Sequence, residues 1–220
     1  MNDDLIIRMS SECGQIKIET ESDGVISYKE ISEKTLVNCL VGSIKQPGYI
    51  SGLLPENCIS FSVNTDGERS VCILHPAHRA DIYYHNTCYK DFPLPQIVFK
   101  FNLHQGLRVN EVNVSIADSV RLTPNTKMFK WPFSNVSGTR MCIGNNAMPV
   151  CESLHTLASL PYHILSIPNN DDHYKSSGNM LNMEYRKLLE HLKDKDPSYY
   201  YEKILVPNGK VLSDFTGTAA

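Results

Sequence analysis

Apolar and polar side chains alternate strictly over Gln15-Ile16-Lys17-Ile18-Glu19. That period of two predicts a half-buried strand. Asp4–Arg8 before it and Val25–Tyr28 after the Asp23-Gly24 turn read the same way, so the first thirty residues predict a small β lobe. The period changes at Ser32. Ser32-Glu33-Lys34-Thr35 is a capped helix start, and Leu36, Val37, Leu40 and Val41 follow at helical spacing up to Gly42. Pro47-Gly48 and Gly52-Leu53-Leu54-Pro55 then mark a loop. Beyond it, Cys58–Asn64, Arg69–Leu74, Gln96–Asn102, Leu107–Ile116 and Lys127–Trp131 predict strands, with a hairpin turn at Thr65-Asp66-Gly67-Glu68. Strand after strand without an intervening helix predicts an antiparallel meander rather than parallel crossovers. Glu152–Leu160 predicts a short helix. Asn179–Leu192 predicts a longer one, with Met180, Leu181, Met183, Tyr185, Leu188, Leu189 and Leu192 forming an apolar stripe over a charged face. The expected class is α+β, a sheet with helices on one face or end. The expected organisation is an N-terminal β extension over 1–30, a main domain over 31–212 and a flexible tail over 213–220, where Asp214–Ala220 should fray.

Composition narrows the function classes. With 41% hydrophobic and 20% charged residues in 220, the chain reads as an ordinary globular protein, and no apolar run approaches the ~18 residues of a membrane span. The net charge is −3 and the basic residues are scattered, which argues against nucleic acid as a partner. Met1-Asn2-Asp3-Asp4 is acidic where a secretory signal would be basic, so a cytoplasmic location is expected, with no membrane partner. Seven cysteines at irregular spacing, with no CxxC pair, argue against a disulfide framework.

One stretch concentrates reactive residue types. Trp131-Pro132-Phe133-Ser134-Asn135-Val136-Ser137-Gly138-Thr139-Arg140-Met141-Cys142-Ile143-Gly144-Asn145-Asn146 sets a cysteine just after a glycine-containing loop, with an asparagine seven residues earlier. Cys142 can act as a nucleophile and the Asn135 amide can stabilise an oxyanion beside it, while Arg140 can favour the thiolate electrostatically. The plainer readings are that Cys142 is a buried strand residue and Asn135 a turn residue, with Pro132 and Gly138 shaping the loop. Other letters suggest chemistry less specifically. Cys72, His75, His78, His85 and Cys88 are zinc-ligand types, but their spacing fits no standard site and a strand end followed by a proline turn explains them, so no metal is expected. His155 and His163 follow Cys142 and a Cys/His pair is the minimum for a thiol hydrolase, yet the expected sequence context is missing. Asp171-Asp172-His173 sits in a polar loop that could line the cysteine. No Walker loop and no dinucleotide GxGxxG is present, so no nucleotide cofactor is expected.

The order helix, meander, cysteine-bearing segment, helices resembles the ubiquitin-conjugating enzyme fold, where the cysteine lies downstream of a His-Pro-Asn tripeptide. Pro132, Asn135, Val136, Gly138 and Cys142 stand in that order here. The tripeptide's histidine is absent, and Phe133-Ser134 separates Pro132 from Asn135. Ser51-Gly52-Leu53-Leu54-Pro55, Phe92-Pro93-Leu94-Pro95 and the 131–146 stretch look more closely like the prokaryotic conjugating-enzyme-like group called family D, that of the PRTRC systems. The resemblance implies a ubiquitin-conjugating-like domain over 31–212 that receives a ubiquitin-like protein from a ThiF-type activating enzyme. The carried protein would form a thioester on Cys142 and pass to an amine, with Asn135 as the oxyanion donor and no cofactor. The alternative is a non-catalytic adaptor of the same fold that binds a ThiF-type or ubiquitin-like partner.

Overall fold

The computed structural model describes residues 5–9, 15–22, 25–43, 50–64, 67–104, 107–118, 121–144, 146, 148 and 150–217. The expected turns at Asp23-Gly24 and Pro47-Gly48, together with Cys13, Thr65, Asp66, Asn145 and the last three residues, lie outside them. Two compact units divide the chain, Met1–Ile50 and Ser51–Ala220.

In the first unit the alternating segments form an antiparallel sheet of β1 (Leu5–Met9), β2 (Gln15–Ser22) and β3 (Val25–Ser32), followed by α1 (Glu33–Ser43). The cap is as the sequence predicts: the Thr35 N–H donates to the Ser32 hydroxyl at 3.2 Å, satisfying one of the amides that a helix start leaves open. The first compact unit, Met1–Ile50, holds α1 together with the strands that precede it.

The second unit is built on a meander with an excursion. β4 (Cys58–Val63), β5 (Arg69–His75), β8 (Ile97–His104) and β9 (Arg108–Ala117) pair in sequence, all antiparallel, while β6 (His78–Tyr84) and β7 (Thr87–Leu94) form a separate hairpin between β5 and β8. On its far edge β9 pairs with β10 (Lys127–Phe129) and with the small hairpin of β11 (Val136–Ser137) and β12 (Arg140–Met141). After that come a 3-10 turn at Leu154–Ser159, α2 (Leu160–Leu165), α3 (Tyr185–Leu192), α4 (Tyr199–Lys203), β13 (Pro207–Val211) and α5 (Leu212–Thr216). None of the described helices is long and apolar enough to cross a membrane.

β5 and β8 are apolar on both faces, which is why they read as near-continuous hydrophobic runs. On one face Val71, Ile73, Phe99 and Phe101 join a core with Leu188, Leu189 and Leu192 of α3 and Tyr200 of α4. On the other, Cys72 and Val98 meet Met128, Leu212 and Phe215. The sheet is thus covered on both faces, where helices on one face or end were expected. The tail does not fray where it was expected to: α5 runs to Thr216 with Phe215 buried, and the Lys100 ammonium donates to the Phe215 and Thr216 carbonyls at 3.3 and 3.2 Å. A cation on the last carbonyls of a helix completes acceptors that the helix itself cannot satisfy.

The expected helix over Asn179–Leu192 is shorter, beginning at Tyr185. Asn179 explains the difference. Its buried amide donates to the Ser176 and Met183 carbonyls at 2.9 and 3.1 Å, and its side-chain oxygen accepts from the Met183 N–H, so it organises a loop instead of a helical turn. Met180 and Leu181 consequently stay exposed at 54% and 39%.

Histidines join the β6–β7 hairpin to the sheet. His75, buried at the end of β5, has its Nε2 3.2 Å from Nε2 of His78, whose Nδ1 lies 3.1 Å from the Pro76 carbonyl. That carbonyl accepts only, so His78 donates through Nδ1 and accepts through Nε2 from His75. Tyr162 of α2 stands edge-on to His75 at 4.7 Å. Burial, and secondarily the facing His78, lowers the His75 pKa from 6.5 to about 4.

Two outcomes follow from this architecture. Leu189→Ala should cost about 2–5 kcal/mol of stability by leaving a void in the core, whereas Met180→Ala should change it by less than about 0.5 kcal/mol, as read from urea midpoints. Unfolded His75 takes up a proton near pH 6.5 and folded His75 only near 4. Stability is therefore complete above 6.5 and falls as pH drops through that window, by on the order of 3 kcal/mol, and His75→Phe should remove this part of the pH dependence in thermal melts.

Candidate functional site

Trp131-Pro132-Phe133-Ser134 runs through the interior, all four residues buried. Phe133 is a wedge whose ring meets Trp131 at 5.1 Å, Tyr200 at 6.1 Å and Phe92 at 6.2 Å. The Trp131 indole N–H donates to the Ser134 carbonyl at 3.0 Å, and the Ser134 hydroxyl donates to the Asn169 side-chain oxygen at 3.3 Å. The extra Phe133-Ser134 of the sequence is thus structural filling that fixes where the chain emerges.

It emerges at Asn135. This residue has φ 61°, a left-handed conformation that asparagine tolerates better than most residues, and its N–H donates to the Asp172 carbonyl at 2.7 Å. The β11–β12 hairpin follows, pairing Val136 with Met141 and Ser137 with Arg140 across Gly138-Thr139. Gly138, at φ 66°, supplies the positive φ that such a two-residue turn requires at its first central position. Asn135 and Cys142 are the next pair in the same register, and the Cys142 N–H donates to the Asn135 carbonyl at 2.7 Å. The sequence separation of seven is the length of this hairpin, so the two expected site residues face each other at its base.

β9 holds the hairpin in place. Arg140 pairs with Asn113, the Val114 N–H donates to the Thr139 carbonyl at 2.7 Å, and the Thr139 hydroxyl donates to the Asn113 side chain at 3.0 Å. The Arg140 guanidinium lies 3.5 Å from Glu111 on β9, so its charge is shared with a carboxylate and not reserved for the sulfur.

Cys142 is exposed and Asn135 half-buried, and both line a small cleft. The other walls are Trp131, Phe133 and Met141, Ile82 and Leu94 from the β6–β7 hairpin, Ile164 and Leu165 of α2, and Ile167 and Asn169 beyond it. Its free volume is about 30 Å³. That is room for a water-sized group, far below the roughly 300 Å³ at which small-molecule pockets begin. Among the described residues the Asn135 side-chain amide has no hydrogen-bond partner. The arrangement offers a reachable sulfur, an uncommitted amide across one cross-strand pair, and an apolar wall.

Neither His155 nor His163 lines this cleft, so the pairing needed for a thiol hydrolase is not present there. His85 lies 3.4 Å from Asp171, Cys88 is exposed on β7, and burial raises the Cys72 thiol to about 12. Among the described residues no three of the ligand types His, Cys, Asp and Glu cluster as a metal site. Asp171, Asp172 and His173, expected to be able to line the cysteine, do not line this cleft; Asn169 of the same loop does, and the Asp172 carbonyl anchors the Asn135 backbone. Leu94 was missed as a wall, although Phe92-Pro93-Leu94-Pro95 is the signal that could have found it: Phe92 and Leu94 are buried and the Pro93 carbonyl accepts from the Tyr200 hydroxyl at 2.9 Å.

No curated protein and no solved structure matches the chain. The family model of prokaryotic E2 family D matches residues 32–207, a span that contains the meander, the Asn135/Cys142 hairpin and helices α2 to α4. On that match, over most of its length, the chain belongs to prokaryotic E2 family D.

Proposed function

We propose that the protein is a ubiquitin-conjugating-like carrier in which Cys142 bears a ubiquitin-like protein as a thioester and delivers it to an amine. The observation that carries this reading is the pairing of exposed Cys142 with Asn135, whose amide is free, at the base of a hairpin locked onto β9. The size of the cleft supports it as well. A site with about 30 Å³ of free volume cannot enclose a small substrate, whereas an extended acyl tail on a large carrier needs only a groove for its last atoms and draws its binding energy from surfaces elsewhere. Family membership, and a meander that precedes the cysteine segment, fit a ubiquitin-conjugating-like core.

The chemistry has two balanced steps. The Cys142 thiolate attacks the thioester carbonyl on a ThiF-type activating enzyme, forming a new S–C bond as the enzyme's own sulfur leaves as thiolate. An acceptor amine then attacks the carbonyl on Cys142. The C–N bond forms, the oxyanion accepts a hydrogen bond from the Asn135 amide, and the C–S bond breaks to return the Cys142 sulfur while the amine's proton passes to it or to water. No cofactor enters either step.

Incubation with the neighbouring activating enzyme, ATP and the ubiquitin-like protein should give a thiol-sensitive adduct on a non-reducing gel. Cys142→Ala should abolish it, and Cys88→Ala, which alters another exposed thiol, should retain it. Asn135→Asp keeps the tolerance for positive φ but loses the N–H donor. It should still charge, yet discharge to amine about 100-fold or more slowly. An uncharged wild type that nevertheless co-purifies with its partners would replace the carrier reading by that of an adaptor.

A further inference from the structure

The β11–β12 hairpin also borders a second, much larger cleft, to which Val136, Ser137, Gly138 and Thr139 contribute while Trp131 and Phe133 separate it from the first. Its free volume is about 480 Å³, within the range of roughly 300–1,000 Å³ typical of small-molecule sites. Three lysines line it: Lys130 from the segment after β10, Lys175 from the loop before α3 and Lys210 from β13. No aspartate or glutamate does. Among the described residues none of the three ammonium groups has an ion-pair or hydrogen-bond partner. In a chain of net charge −3 this is a local inversion of sign, with three uncompensated cations from distant parts of the sequence around one concavity. Some lysines elsewhere on the surface are paired, as Lys187 is with Glu184 at 2.9 Å and Lys193 with Glu190 at 2.9 Å.

The donor set narrows the ligand class. Carboxylates are best matched by the planar two-pronged fork of arginine, and no arginine lines the cleft. Ammonium groups act as point charges and suit the several equivalent oxygens of a tetrahedral phosphate, and the Ser137 and Ser177 hydroxyls on the same walls add neutral donors. Phe129, half-buried, gives the cleft one apolar wall for the rest of such a molecule.

We infer that this cleft binds a phosphate-bearing small molecule carrying at least two negative charges. Its occupancy rests on Lys130, Lys175 and Lys210 and is independent of thiol chemistry at Cys142.

Isothermal titration of the full chain with inorganic pyrophosphate at physiological salt tests this. Wild type should bind saturably at one site and rise in melting temperature. Lys130→Gln, Lys175→Gln and Lys210→Gln should each weaken binding about threefold, as expected for exposed charge pairs, and the triple variant about thirtyfold. All three lysines are exposed, so near-UV circular dichroism of the variants should match wild type. Lys187→Gln should leave the affinity unchanged. The inference is overturned by absence of saturable binding to wild type at millimolar pyrophosphate, by a triple variant that binds as tightly, by equal weakening in Lys187→Gln, or by equal affinity for the tricarboxylate tricarballylate.

Discussion

The outer edge of β9 is the constraint on which the larger unit depends. A strand whose inner edge is fully engaged by β8 still presents a row of N–H and C=O groups on the other side, and burying them unpaired would cost free energy comparable to the hydrogen bonds lost. Two short segments divide the task. β10 covers the end of the strand, pairing Met128 with Ala117 and Phe129 with Ile116, and β12 covers its middle at Asn113. Because β10 in turn pairs with β13, the same edge draws in the segment that leads to α5 and closes the second face of the sheet. The site and the C-terminal cap are thus both consequences of satisfying one strand.

The stretch between β10 and β11 links that edge to the Asn135/Cys142 pair. Four buried residues, Trp131 to Ser134, cross the interior before the chain surfaces, and the chain cannot slide along that path without pulling Phe133 from its contacts with Trp131, Tyr200 and Phe92. Asn135 is therefore placed by packing on one side and by the Asp172 carbonyl on the other, while Cys142 is placed only through the hairpin that Asn135 begins. The backbone of Asn135 is thereby fixed across one cross-strand pair from the more accessible Cys142.

How much of this was legible depends on how local each signal is. The strands of the meander were legible because β-branched and aromatic residues recur over short runs, whereas the hairpin that sets Asn135 opposite Cys142 was not predicted, only their separation of seven residues. Nor was the β6–β7 hairpin. His75-Pro76-Ala77-His78 reads as a turn, and Pro93 near the end of β7 obscures a strand whose buried positions, Tyr89, Phe92 and Leu94, are revealed only by packing. Asn179 ends a helical pattern by hydrogen bonds that apolar periodicity does not encode. α5 holds through Phe215 and through Lys100 more than a hundred residues earlier, and its local signals are only Asp214, which accepts from the Val211 N–H, and Gly217 at the left-handed C-terminal position. The lysine cleft is likewise distributed over three separate segments, which is why the basic residues look scattered when read along the chain.

The two clefts on either side of Trp131 and Phe133 differ in what they can contribute. The one at Cys142 is too small and too apolar to hold a reactant by itself, so any binding energy used there has to be generated at some distance from the sulfur and transmitted by a rigid frame. The other has volume and uncompensated positive charge but no nucleophile among its lining residues. Trp131 and Phe133 line both clefts, and the Ser137–Thr139 turn at the larger one belongs to the same short hairpin that sets Asn135 opposite Cys142.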